Sequence, residues 1–326
     1  MNWDYQAPWW LPGGNLQTIY AAKLARRYTG AAPSWSRERW DTPDGDFVDV
    51  DWRRHDIAQS EDEPLLVMFH GLEGSSSSHY AQAFAQEAQQ RGWNMVVPHF
   101  RGCSGEINWA PRAYHSGDFE EIGWILSRLR QRHRGDMFAV GISLGGNALM
   151  RWAGEMGQAA NQFVDAIASV CSPIDLTASG HAIDAGINKL MYARMFLGTM
   201  KPRAMQKLQQ FPGLFDPQKL MAADSLYQFD QVFTAPLHGF KNTDDYWARA
   251  SAKPGLSMVK VPALVLNAKN DPFIPARSLP LPAQVSPDVH LWQPQHGGHV
   301  GFASGMFPAD LKEMPWAVNE WLTQHG

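Results

Sequence analysis

Residues 138–149 read "FAVGISLGGNAL". An apolar run stops at Gly141, a single hydroxyl follows at Ser143, and another glycine stands at Gly145. "DMFAVGI" shows no polar alternation, which predicts a strand covered on both faces. "GGNALMRWAGEMG" predicts a helix directly after it. Residues without side chains let a strand turn into a helix within a few positions. That turn lifts Ser143 clear of the sheet edge. The following helix aims its first N–H groups and its positive end at the same spot. Gly141-Ile142-Ser143-Leu144-Gly145 is thus a G-x-S-x-G in the strand–turn–helix context that a nucleophile requires. The plainer alternative is a serine N-cap with glycines for close packing. The rest of a catalytic set decides between them.

The same rhythm extends outward. "PLLVMFH", "WNMVVPHF" and "VDAIASVCSP" predict buried strands, and "DGDFVDVDWRR" a partly exposed one. "SHYAQAFAQEAQQRG" places Tyr80, Phe84 and Ala88 on one helical face and ends at Gly92. "SGDFEEIGWILSRLRQRHRG" predicts a helix with Ser116 or Asp118 as N-cap and Glu120 and Glu121 at its positive end. Alternating strands and helices predict an α/β fold, a mostly parallel sheet flanked by helices. Strands recur at "KVPALVLNAKND" and "VHLWQPQHGGH", and "PWAVNEWLTQH" predicts a closing helix with Pro315 in its first turn. Between them the segments "INKLMYARMFLGTM", "AMQKLQQFPGLF" and "SLYQFDQVF" predict apolar-rich helices. The expected organisation is an N-terminal arm over 1–45 packed on the core, an α/β core over 46–175 and 259–326, and a helical cap over 176–258, inserted before the acid-bearing strand.

Composition narrows the function. A formal net charge of −4 over 326 residues carries no basic footprint for nucleic acid. No apolar stretch approaches the ~18 residues of a membrane span. The N-terminus lacks a basic segment followed by an apolar run, so no signal peptide is expected. Cys103 and Cys171 read as buried free thiols. Together these predict a soluble, cytoplasmic protein. No H-E-x-x-H, C-x-x-C or G-x-x-x-x-G-K-[ST] occurs, so zinc-metal and nucleotide readings have no support.

A serine nucleophile needs a base, and the base needs an acid to orient it. Asp271 follows the strand "ALVLNAKN", and His299 follows "HLWQPQ" within "HGGHVGF". Both sit where connectors leave strand ends, in the order Ser, Asp, His. His296 competes with His299, which is preferred because Gly297 and Gly298 let its loop bend back over the sheet edge. Asp175, in "SPIDL", is a rival acid. "FHGLEG" supplies the other requirement, donors for a developing oxyanion: the backbone N–H of Leu72, with that of Leu144 as the second. His70 is expected to brace that loop through its ring nitrogens. "HSGD" at 115–118 reads as a helix-entry turn rather than a metal pair. The aromatic opening "PWWLPGGNLQTIY" reads as an arm on the body, with Trp9 and Trp10 as candidates for the rim of a cleft.

These motifs resemble the α/β-hydrolase superfamily, and more narrowly its YheT-type branch of provisionally named esterases. The residues that carry the resemblance are "WWLPGGNLQTIY", "FHGLEGSSSSHY", "HFRGCSG", "YHSGDFEEI", "VGISLGGNALMRW", "NAKNDPFIP" and "HGGHVGF". It implies an eight-stranded, mostly parallel sheet, esterase or lipase-like action on acyl esters, no cofactor, and the triad Ser143, Asp271 and His299. Some relatives carry a membrane anchor and act on lipids or transfer acyl groups. None of the 12 histidines has Asp five residues on, so the H-x-x-x-x-D acyltransferase pattern is absent. The expected partner is a small acyl ester of short to medium chain. Acyl transfer or thioester cleavage by the same residues, or a ligand-binding protein with little turnover, are the alternatives. Oligomeric state is not legible.

Overall fold

The computed structural model describes residues 3–54 and 61–326. Eight strands form one sheet: β1 (Ser36–Asp41), β2 (Phe47–Arg53), β3 (Leu65–Phe69), β4 (Asn94–Pro98), β5 (Met137–Ile142), β6 (Ala166–Val170), β7 (Ala263–Leu266) and β8 (Val289–Trp292). Their order is β1-β2-β4-β3-β5-β6-β7-β8. β2 runs antiparallel to both neighbours, and β4, β3 and β5 to β8 pair in parallel. Strands β3 to β7 are buried at every position, which the unbroken apolar runs predict.

Helices cover both faces. On one, α3 (Phe119–Arg130) and α4 (Leu144–Met156) contribute Ile122, Leu126, Leu149 and Trp152 to the core. On the other, α2 (His79–Gln90) and the closing helix Glu313–His325 contribute Tyr80, Phe84, Val318 and Trp321. Asp118 occupies the N-cap position of α3, but its carboxylate does not cap; it pairs with Arg112 at 2.6 Å.

Nothing in the sequence pattern of residues 36–41 announces β1. "SRERWD" is charged at four positions and only Trp40 is buried. An edge strand needs partners on one side alone. Here Arg37 binds Asp51 and Arg39 binds Asp49 across the β1–β2 ladder, so charged side chains do the pairing.

Between β6 and β7 the regular elements are all helical, joined by short turns: α5 (Leu176–Ile183), a run from Gly186 to Gln210 with a π turn at Lys189–Ala193, then Pro217–Ala222, Leu226–Val232, Thr234–Leu237 and Thr243–Ala250. This segment has its own core of Leu197, Leu220, Phe229 and Phe233. Lys207 pins it to the body. Its buried ammonium donates to the carbonyls of Asn108 and Ala110 at 2.6 and 2.9 Å and to Gln210 Oε1 at 2.9 Å. Burial pushes its pKa down to about 8.

Candidate active site

The turn from β5 into α4 explains its glycines. A Cβ on Gly141 would lie 2.4 Å from the Cα of Gly146, and one on Gly145 would lie 2.4 Å from the Phe69 carbonyl oxygen. Only bare backbone passes there. Ser143 itself sits at φ 52°, a left-handed conformation that a side chain adopts at a cost. Its N–H donates to Val170 O at 2.8 Å, which locks the turn to β6.

Three predicted side chains meet at this rim. His299 Nε2 stands 3.0 Å from Ser143 Oγ, and His299 Nδ1 stands 2.8 Å from Asp271 Oδ2. A carboxylate facing Nδ1 keeps the proton there, which leaves Nε2 free to accept from the serine hydroxyl. The other carboxylate oxygen, Oδ1, accepts from the Phe273 N–H at 2.7 Å. The Asp271 side chain is fully buried. The Phe273 ring packs on the imidazole with centroids 4.3 Å apart.

The rivals are placed elsewhere. His296 is exposed. Asp175 caps α5, accepting from Ala178 N–H at 3.0 Å. Trp9 is 87% exposed and, like Trp10, is absent from the cavity wall; Trp10 packs instead on Tyr20 and Phe307.

The loop after β3 passes close to the serine. A Cβ on Gly71 would lie 3.2 Å from Ser143 Cβ. His70 braces the loop from behind: its Nδ1 lies 2.8 Å from Gly71 O, and its Nε2 accepts from Phe100 N–H at 3.0 Å. Burial pushes its pKa down to about 3, so it stays neutral. Among the described residues, neither the Leu72 nor the Leu144 N–H donates to a protein acceptor. The next residue, Glu73, takes the left-handed region at φ 57° and meets Arg203 of the helical segment at 3.2 Å. No sequence pattern pointed to that pair.

Behind Ser143 lies a cavity in which the centre of a water molecule has about 150 Å³ of room. Its wall is mainly apolar, from Leu176, Ile183, Phe196, Met200, Phe229 and Phe233. Asp230 also lines it and accepts from Trp247 Nε1 at 2.8 Å. Burial pushes this carboxyl up to about 6 from an ordinary 3.8. Between those values the native chain holds a proton that the unfolded chain has lost. The associated stability is full below about pH 3.8 and disappears as pH rises through about 6. Asp230→Asn, neutral throughout, is expected to gain on the wild type between pH 4 and pH 8 by on the order of 2 kcal/mol. Urea midpoints at the two pH values check this; an equal difference at both would show that Asp230 does not titrate this way.

Comparison with known proteins identifies the fold family. The family model described as the alpha/beta hydrolase fold matches residues 64–305. The chain belongs to the α/β-hydrolase family. YheT of Escherichia coli (strain K12), a provisionally named esterase, is 38% identical over 95% of this chain and 90% of its own. The phospholipase ABHD3 of Mus musculus is 27% identical over 87% of this chain and 71% of its own. Among solved structures, Est1E from Butyrivibrio proteoclasticus with bound ferulic acid superposes at a TM-score of 0.56 and 14% identity, over 88% of this chain and 98% of that one. At that identity the likeness concerns the α/β-hydrolase fold alone. Among the described residues no helix is long and apolar enough to cross a membrane.

Proposed function

We propose that the chain is a serine carboxylic-ester hydrolase working through an acyl-enzyme. The observation that carries this is the continuous hydrogen-bonded line from Asp271 through His299 to Ser143, at 2.8 and 3.0 Å. Ser143 Oγ attacks the ester carbonyl, and His299 Nε2 takes its proton and returns it to the leaving alcohol. Asp271 holds the imidazole in the tautomer this needs and stabilises the imidazolium. The N–H groups of Leu72 and Leu144 receive the oxyanion, and water then repeats the sequence on the acyl-enzyme. The esterase and phospholipase names of relatives fit this reading. A fluorophosphonate probe, which requires an activated serine, is expected to label Ser143 stoichiometrically. An unlabelled Ser143 in active protein would count against the assignment.

The substrate class follows from the cavity. A mainly apolar cavity that includes Ser143 and His299 in its wall suits a short to medium acyl chain. Each buried methylene contributes about 0.8 kcal/mol, roughly fourfold in kcat/KM, until the space is full. A series of p-nitrophenyl esters should therefore climb with chain length and then fall. A flat series, or a preference for charged acyl groups, would remove the cavity from the account.

A further inference from the structure

The loop that carries His299 has a backbone that needs outside support. Gly297, Gly298 and Val300 all have positive φ, at 139°, 54° and 54°. For β-branched Val300 that conformation is strained. Four side chains from outside the loop hold it, one on each of four successive amides. Gly297 N–H donates to Gln17 Oε1 at 2.9 Å, and Gly298 N–H to Asn270 Oδ1 at 2.9 Å. His299 N–H donates to Thr18 Oγ1 at 2.8 Å, and Val300 N–H to Cys171 Sγ at 3.2 Å.

Two of these acceptors lie on α1 (Gly14–Lys23), which precedes the matched residues 64–305. An arm that only packs on a body turns apolar side chains inward. This helix also turns in Gln17, fully buried, and Thr18, at 8% exposure. Buried polar groups are costly unless bonded, and each side-chain polar atom of these two has a partner. Gln17 Nε2 donates to Leu11 O at 3.0 Å, and Thr18 Oγ1 donates to Gly14 O at 2.7 Å. Gln17 Oε1 also accepts from Asn270 Nδ2 at 2.9 Å. Asn270 adjoins Asp271, so one amide network reaches both the acid and the base. Helix and loop touch backbone to backbone: a Cβ on Gly298 would lie 2.6 Å from Gly14 O, and one on Gly301 would lie 2.5 Å from Gln17 O.

The geometry points to α1 as a positioning element of the base: Thr18, supported by Gln17, sets where the His299 ring stands between Ser143 and Asp271. This rests on the triad reading above. Thr18 touches no reacting atom and acts through the His299 backbone.

Thr18→Val tests it, because valine keeps the shape and removes the acceptor. With p-nitrophenyl butyrate, kcat is expected to fall between about tenfold and a hundredfold, the usual result of a small misplacement of a catalytic group. KM should stay within about twofold, since the cavity wall is untouched. Thr18→Ser returns the hydroxyl and should restore most of the rate. The downfield proton resonance of His299 Nδ1–H is expected to move in Thr18→Val and to return in Thr18→Ser. Thr18→Ala makes the same comparison if valine unfolds the chain, as a thermal melt would reveal. An unchanged kcat, an unmoved resonance, or a serine variant as poor as the valine one would overturn the inference. Turnover that survives Ser143→Ala would instead bring down the triad reading, and the resonance comparison separates the two failures.

Discussion

Ser143→Ala is expected to lower kcat toward p-nitrophenyl esters by about a million-fold, the loss typical of removing the nucleophile from a serine triad. The variant is expected to keep the fold. Alanine carries the same Cβ at the same φ of 52°, so the turn is no more strained than before. The backbone bond from residue 143 to Val170 O does not involve the hydroxyl. What is lost is one side-chain bond, to His299 Nε2 at 3.0 Å. Stability should therefore stay within about 1 kcal/mol of wild type. Initial rates and a thermal melt on the same preparation check both halves. Turnover above one part in a hundred with the melt unchanged would mean that another group attacks the ester.

The sheet was legible from β2 to β8, most plainly over β3 to β7, where parallel strands bury both faces and unbroken apolar runs such as "LLVMF" record that. The three positions of the proposed triad stood out in the sequence because each lies on a connector leaving a strand, with glycine or proline close by, where the chain must bend. β1 did not, because an edge strand bears charged side chains whose partners sit on β2. The role of "NLQT" was hidden for a related reason. Gln17 and Thr18 have meaning only against backbone amides at 297 and 299, and no local periodicity encodes a contact that distant. The cavity wall was legible as apolar helices, but which residues face Ser143 depends on how those helices fold over the rim. The Glu73–Arg203 pair and the Lys207 anchor depend on the same placement.

The second large effect concerns Asp271, and its sign comes from two hydrogen bonds. Oδ1 accepts from the Phe273 N–H at 2.7 Å, and Oδ2 faces His299 Nδ1 at 2.8 Å. Asn in this place has one oxygen and one NH₂. The backbone N–H of Phe273 can only donate, so the amide oxygen must stay on its side. The NH₂ then points at Nδ1, which is forced to become an acceptor. The imidazole proton moves to Nε2, and the ring can no longer take the proton of Ser143. Asp271→Asn is therefore expected to lose about ten-thousand-fold in kcat at neutral pH, with KM little changed, while the ring stays in place. The accompanying signature is loss of the downfield Nδ1–H resonance. Asp175 offers no substitute acid, because its carboxylate is committed to Ala178 N–H at the start of α5. A rate for Asp271→Asn within tenfold of wild type would show that the imidazole needs no carboxylate to set its tautomer, and the line from acid to base to serine would lose its first member.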